Sequence, residues 1–338
     1  MSEKKLVVAV VGATGAVGRE MLKTLESRNF PATEVVPFAS ARSAGTKVPY
    51  GDSELVVREL KEDVFEGIDI AIFSAGGSTS EKYAPHAAAA GCIVVDNSSA
   101  WRMDERCPLV VPEVNPEALE GHNGIIANPN CSTIQMVVAL KPLYDLARIT
   151  RVVVSTYQAA SGAGAPAMAE LYDQTREFLD GKPEDELTIK AFKHRIAFNT
   201  IPHIDVFLDD DSTKEEWKMV VETKKIMGDQ GIRVAATCVR VPVLRCHAEA
   251  VYVEFADEVS VEAARAALEA FPGIVVMDDC ATNTYPMPGL LAGTNETYVG
   301  RLRRDDTVDH GLAMWVVADQ IRKGAALNAV QIAQLLLP

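Results

Sequence analysis

The stretch "VVAVVGATGAVGRE", residues 7–20, decides the fold of the first third of this chain. Residues 7–11 are apolar and mostly β-branched, the composition of a strand buried on both faces. Glycines follow at 12, 15 and 18, and from Gly18 the run "GREMLKTLESR" has the spacing of an amphipathic helix. A glycine turn between strand and helix leaves the first N–H groups of the helix uncommitted, with no side chain between them and a phosphate. The spacing is GxxGxxG and not the more familiar GxGxxG, so the loop alone also fits a tight turn with no ligand. Its position at a first strand–helix junction favours a dinucleotide.

Working outward, further short apolar runs end in Ser or Asn: "EVVPFAS" (34–40), "IDIAIFSA" (68–75), "CIVVDNS" (92–98) and "GIIANPN" (124–130). Helical stretches such as "SEKYAPHAAAAG" lie between them, so the pattern predicts repeated βαβ units in a Rossmann-like, doubly wound parallel sheet. A dinucleotide site for NAD usually carries an acid at the end of its second strand, for the ribose 2′-hydroxyl. Here that strand runs into "SARSAG", with Ser40, Arg42 and Ser43 and no acid, which suits a 2′-phosphate and so NADP(H).

Beyond residue 130 the runs lengthen: "RVVVSTYQAA", "GIRVAATCVRVPVL", "AEAVYVEFA" and "YVGRLRRD". They predict a second domain over 131–311, of α+β class with a mixed or antiparallel sheet. The tail "HGLAMWVVADQIRKGAALNAVQIAQLLL" reads as two helices broken near Gly324, which would complete the first domain (1–130) from about residue 312. The segment "FLDGKPEDELTIKAF" is polar enough for a surface excursion.

The totals narrow the function classes. Across 338 residues, 48% hydrophobic and 24% charged is ordinary for a globular protein of two domains. A net charge of −14 argues against nucleic acid and against anionic membrane surfaces, since both need a basic face. The N-terminal apolar run flows directly into the glycine loop, so it reads as a strand and not as a signal peptide. No apolar stretch is long enough to cross a bilayer. The six cysteines form no CxxC pair, and reduced thiols in the cytoplasm are the expectation; no metal-ligand spacing stands out.

One thiol has a particular setting. Cys131 sits in "NPNCST", where a loop becomes the helical run "IQMVVALKPLYDLA". If that helix starts at Ser132 or Thr133, the thiol faces its positive end and its free N–H groups. That position lowers a thiol pKa and supplies an oxyanion hole, to which Asn130 would add a donor. The other five cysteines read as bland buried residues. A proton partner is less plain. His247 follows Arg240 by seven residues, an odd number that would put them on opposite faces of one strand, unless Pro242 breaks it. His203 in "IPHID" competes. Arg240 lies in an apolar strand, where a bound anion best accounts for its charge.

Taken in order, "GATGAVGRE", "SARSAG", "SSAWRMD", "NPNCST", "SGAG", "ETKKI" and "CVRVPVLRCHAEAVYVE" span nearly the whole chain and resemble the bacterial aspartate-β-semialdehyde dehydrogenases. The resemblance implies an NADPH-dependent reductive dephosphorylation of L-aspartyl-4-phosphate, in the branch leading to lysine, methionine and threonine, by a homodimer in which 131–311 is the α+β catalytic and dimerisation domain with a mixed sheet. It assigns Cys131 as the nucleophile, His247 as general acid/base and Gln158 as the residue orienting substrate beside the thiol. Arg240 would bind the substrate carboxylate, Glu222 its amino group, and Arg102 and Lys225 the phosphate, with Lys224 adjoining. Thr14, Gly15, Ala16, Val17, Arg42, Ser43, Ser161, Gly162 and Gln320 would contact the cofactor, joined by Gly12 of the loop and Ser40. Two other readings share these features. One is N-acetyl-γ-glutamyl-phosphate reductase, with the same thiol chemistry; the other is a non-catalytic NADP-binding sensor, since fold alone does not dictate function.

Overall fold

The computed structural model describes residues 5–337. The chain divides into two compact units, 1–130 with 324–338, and 131–323.

In the first unit, β1 (Val7–Val11) leads through the glycine loop into α1 (Ala16–Ser27), then β2 (Glu34–Ala39). A hairpin of β3 (Lys47–Tyr50) and β4 (Ser53–Val56) and a short β5 (Arg58–Glu59) follow, then β6 (Ile70–Phe73), α2 (Gly77–Ala89), β7 (Ile93–Asp96) and β8 (Ile125–Ala127). Six strands form one sheet in the order β5-β2-β1-β6-β7-β8, all parallel. Alternate residues explain why these strands read as unbroken apolar runs. Val8, Val10, Ile70 and Ile72 point into one core with Met21, Leu22 and Leu25 of α1. Ala9, Val11, Ala71 and Phe73 point into another with Phe65 and with Ala84 and Ala87 of α2. Both faces are covered, so neither tolerates a polar residue.

Strand order reverses at β1, which has β2 on one side and β6 on the other. That switch point is where an open α/β sheet leaves a crevice for a ligand. Gly12 stands there with φ +86°, and a Cβ on it would overlap the Ser74 carbonyl just past β6. A Cβ on Gly18 would overlap the Gly12 carbonyl, so α1 and its loop approach closely only because both residues lack side chains.

The second unit begins with α3 (Cys131–Leu146) and β9 (Ile149–Gln158), followed by α4 (Ala165–Leu179), α5 (Lys214–Met227), β10 (Arg233–Arg240) and β11 (His247–Phe255). It continues with α6 (Val261–Ala270), β12 (Ile274–Val276), α7 (Pro288–Leu291), β13 (Thr297–Asp305) and β14 (Gly311–Ala318). Its sheet runs β10-β9-β11-β14-β13-β12 and is mixed: β9 and β10 are parallel, while β9 with β11 and β11 with β14 are antiparallel. The fold is thus a Rossmann-like parallel sheet joined to an α+β unit. Helix α3 is buried on all sides from Ser132 to Leu140, as expected of a helix apolar all round.

One element differs from expectation. Residues 311–318 form β14 and not a helix, so 312–323 belongs to the second unit. An eight-residue apolar run has no periodicity that separates a strand from a buried helix. Hydrogen-bonding neighbours on both sides, β11 and β13, decided it. After β14 the chain passes through a π-helical turn at Arg322–Ala326 into α8 (Leu327–Leu335). Within the first unit, Asn328 of α8 donates through Nδ2 to the Val110 carbonyl and to Asn128 Oδ1, at 3.0 and 2.7 Å.

Candidate active site

Sheet register brings three of the expected residues into one row. Arg240, the last residue of β10, is paired with Gln158, the last of β9. On the other side of β9, Ala248 of β11 is paired with Tyr157, which sets His247 opposite Gln158. The seven residues from Arg240 to His247 therefore do not run along one strand. They cross over the end of β9, and the odd count loses its meaning. Residues level across neighbouring strands share a face, and all three are buried.

The peptide of Ala159 clamps this row. Its N–H donates to His247 Nδ1 at 3.0 Å, and its carbonyl accepts from Arg240 Nη1 at 2.6 Å. Because Nδ1 accepts, the proton of the neutral ring is on Nε2. Burial, then the Arg240 charge, holds the ring well below the ordinary histidine value, with the Cys246 backbone opposing, so the ring is neutral. Two donors are left without acceptors among the described residues, His247 Nε2–H and Arg240 Nε–H, both buried. Buried polar groups in folded proteins are hydrogen-bonded as a rule, so this pair marks a place for an anion or a carbonyl oxygen.

Gly162 closes the floor. A Cβ there would stand 2.7 Å from Arg240 Nη1 and 3.1 Å from His247 Nε2. The glycine thus lies directly against the row, a placement that sequence reasoning missed. Ser161 beside it is buried and accepts from Gln320 Nε2, while Gln320 Oε1 accepts the Cys246 N–H at 2.8 Å. Cys246 has φ +73°, a strained value for a residue with a side chain, directly before His247.

Helix α3 starts at Cys131 itself, one or two residues before the expected start at Ser132 or Thr133. The thiol is half-buried, unlike the helix that follows, and Asn130 before it is buried. Burial holds the Arg240 guanidinium below its ordinary value, opposed by Glu215 and then by Cys131, whose negative form lies close enough to favour that charge. Other thiols differ sharply. Burial pushes Cys92 and Cys246 up to about 12, and Cys238 higher still, so they are inert. Cys107 is buried too, but Cys280 is exposed, a correction to the expectation that all five are buried. His203 stacks its ring on Phe207 at 4.3 Å, on the loop before α5, and is not part of the row.

Helix α5 carries a stripe of alternating charge at Glu215, Lys218, Glu222 and Lys225, spaced three and four apart and so on one face. Lys225 shares that face with the buried Glu222, whereas Lys224 is turned away by most of half a turn. Glu215 and Lys218 were not singled out from sequence, although Thr213 and Glu216 form a capping box that fixes where α5 starts. An acid in that first turn, seven residues before Glu222, was the available signal.

In the first unit, Arg102 donates to the carbonyls of Asn128 and Asn97 at 3.0 and 3.1 Å. Gly15 caps α1, so Ala16 and Val17 present N–H groups of its first turn, next to Thr14. Past β2, Ser40, Arg42 and Ser43 lie at a 3₁₀ turn, with Arg42 exposed and no acid at the strand end. The loop and the helix start fit the pyrophosphate of a dinucleotide.

Residues 7–122 match the semialdehyde dehydrogenase NAD binding domain, and residues 140–323 match the semialdehyde dehydrogenase dimerisation domain. Aspartate-semialdehyde dehydrogenase of Aquifex aeolicus is 58% identical over 98% of this chain and 97% of its own length. That of Bacillus subtilis is 53% identical over the same shares. Aspartate semialdehyde dehydrogenase II of Vibrio cholerae, solved in complex with ASA, superposes with a TM-score of 0.95 at 48% identity, covering 99% of this chain and 98% of its own. The enzyme of Candida albicans, solved with NADP, has a TM-score of 0.74 at 26% identity and covers 98% of each chain. By sequence over nearly its full length and by fold, the chain belongs to the aspartate-semialdehyde dehydrogenase family.

Proposed function

We propose that this chain reduces L-aspartyl-4-phosphate to L-aspartate-4-semialdehyde with NADPH, through a thioester on Cys131. The observation that carries this reading is the Arg240–Gln158–His247 row, with two buried donors and no acceptor, close to the thiol that opens α3. A ligand with a carboxylate at one end and a reacting acyl carbon at the other supplies the two missing acceptors.

Cys131 attacks the acyl carbon as a thiolate, its proton already released to solvent under the positive end of α3; the carbon–oxygen bond to phosphate breaks, and inorganic phosphate leaves with that electron pair. Arg240 takes the substrate carboxylate in a charge-assisted fork, which satisfies its Nε–H. Glu222 faces the substrate amino group, and Arg102 and Lys225 hold the phosphate. NADPH, when bound along Gly12, the start of α1 and Arg42, supplies the hydride. As charge gathers on the former acyl oxygen, the Nε2–H of His247 and the N–H groups of the first turn of α3 donate to it. The carbon–sulfur bond then breaks, the carbonyl re-forms, and the aldehyde leaves. A neutral ring whose Nδ1 is occupied cannot also take the thiol proton on Nε2, so His247 starts the cycle as a donor.

NADP is the preferred cofactor because Arg42 stands where an NAD site carries an acid. The match of the second unit to a dimerisation domain, and the half-exposed Tyr157, Tyr252 and Trp315 on the sheet face away from the row, support a homodimer. No described helix is long and apolar enough to cross a membrane, and reduced inert thiols fit a cytoplasmic enzyme.

The test is the reverse reaction: NADP reduction by aspartate semialdehyde plus phosphate. We expect turnover to stop without phosphate, to fail with N-acetylglutamate semialdehyde, and to fall by about 10⁴-fold or more in Cys131→Ala. A pure Cys131→Ala sample that keeps full turnover would falsify the mechanism.

A further inference from the structure

Behind Gln158 lies a buried chain of charges that the mechanism above does not use. Gln158 Nε2 donates to Glu215 Oε1 at 3.2 Å and to Thr156 Oγ1 at 3.3 Å. The other oxygen of Glu215 accepts from Lys218 Nζ at 3.0 Å, and Lys218 Nζ also reaches Asp205 Oδ2 at 2.6 Å. The chain runs from the part-exposed Asp205 inward to side chains that water scarcely reaches. Asp205 holds its place with φ +72°, a strained value for an aspartate, and its other oxygen accepts the N–H of Val206 at 2.9 Å. Such strain persists where surrounding contacts over-determine it.

An ionised carboxylate only accepts, and an amide has a donating end and an accepting end. With Glu215 ionised, the Gln158 nitrogen has to face it. Both hydrogens of that nitrogen are then spent, on Glu215 and on Thr156. Only the carbonyl oxygen is left for the site, as an acceptor. Were Glu215 neutral or absent, the amide would be free to turn over and offer a donor instead.

We propose that Glu215 is a positioning residue: its carboxylate sets which way round the Gln158 amide stands, so that substrate meets only the amide oxygen, while Lys218 and Asp205 keep that carboxylate an acceptor. The inference rests on the reading of Gln158 as the residue that orients substrate. Among the groups that face Glu215 are Lys218 on its own helix, with Asp205 behind it, and Cys238 and Arg240 on β10 beside Gln158 on β9. Its place in the first turn of α5 adds the positive end of that helix.

Glu215→Gln keeps the shape and loses the directionality. In the reverse assay we expect kcat to fall about 10- to 100-fold with KM within about threefold, the size of effect a misplaced orienting group produces. Lys218→Met should shift the acid limb of the pH–rate profile to higher pH, as Glu215 gains a proton more readily, and Lys218→Arg should restore it. A side chain that only fills space moves neither. The second readout needs no turnover. In ¹⁵N-labelled ligand-free protein, the Gln158 side-chain NH₂ signals, identified by their loss in Gln158→Met, should be protected from exchange in the parent and exposed in Glu215→Gln. Wild-type kcat in Glu215→Gln, or unchanged Gln158 protection, overturns the proposal. If the parent turns over no semialdehyde at all, the functional reading fails, and the NMR comparison still decides the orientation of the amide.

Discussion

The glycine loop of the first unit and the Arg240–Gln158–His247 row of the second both lie at the ends of strands, but they are built by opposite means. In the loop, side chains are removed so that backbone can do the work: a Cβ on Gly12 or Gly18 would strike another carbonyl, and α1 offers its N–H groups. In the row the side chains act, and the backbone of Ala159 and the bare Cα of Gly162 make room for them and hold them. The loop spans residues 12–18, whereas the row collects positions 158, 240 and 247. A backbone site is hard to remove by one substitution without disturbing the fold. A side-chain site can be emptied with the fold intact. Damage to the loop should appear first in stability, and damage to the row first in rate.

The sharpest test of that contrast places the same added methyl in both regions. Gly162→Ala puts a Cβ 3.0 Å from His247 Cε1 and closer still to Arg240 Nη1, atoms of side chains and not of backbone. We expect kcat/KM to fall by about 10²- to 10³-fold with a melting temperature near the parent's, measured by the reverse assay and calorimetry. Gly12→Ala meets backbone at φ +86°, so the folded state should lose about 2–4 kcal/mol of stability, measured by unfolding in urea. If Gly12→Ala left stability untouched, the contrast would break.

A smaller effect separates the two units by ligand. Arg42→Leu should raise KM for NADP by about tenfold and leave NAD nearly unchanged, the loss expected for one guanidinium on a phosphate. Equal effects on both cofactors would mean that Arg42 does not read the 2′-position.

The smallest effect probes the cost of burying ionisable groups beneath the row. Burial holds Glu249 well above the ordinary carboxylate value of 4.5, with Gln135 opposing. Between 4.5 and that raised value, the folded protein keeps a proton that the unfolded chain has released. Stability therefore falls as pH rises through this window. His247, depressed below its ordinary 6.5, has the reverse slope: stability is lost as pH falls below 6.5, where only the unfolded chain takes the proton. Glu249→Gln removes the first slope, so its melting temperature relative to the parent should rise from pH 5 to pH 8.5 by about 2 °C or more. A difference independent of pH would show that Glu249 titrates alike in both states.

What could be read before the fold was known follows the same division. The parallel strands and the glycine loop were legible because apolar runs and turn glycines act over a few residues. Cys131 was legible for the same reason, since the loop and helix that surround it are its neighbours along the chain. Residues 311–318 were misread because an isolated apolar run does not reveal whether strands will flank it. Glu215 and Lys218 were not singled out, because burial against β9 and β10 is not written in α5.

By itself, then, the sequence determined where the chain turns, which segments are apolar on both faces, and that one cysteine opens a helix. Counting residues from Arg240 to His247 pointed to opposite faces. Only the insertion of β9 between their strands, from some eighty positions away, put them level with Gln158. Local structure follows from backbone sterics and the spacing of apolar residues, which a linear pattern records. Strand order and register follow from the best joint burial of distant segments, and no single stretch of the chain holds that information.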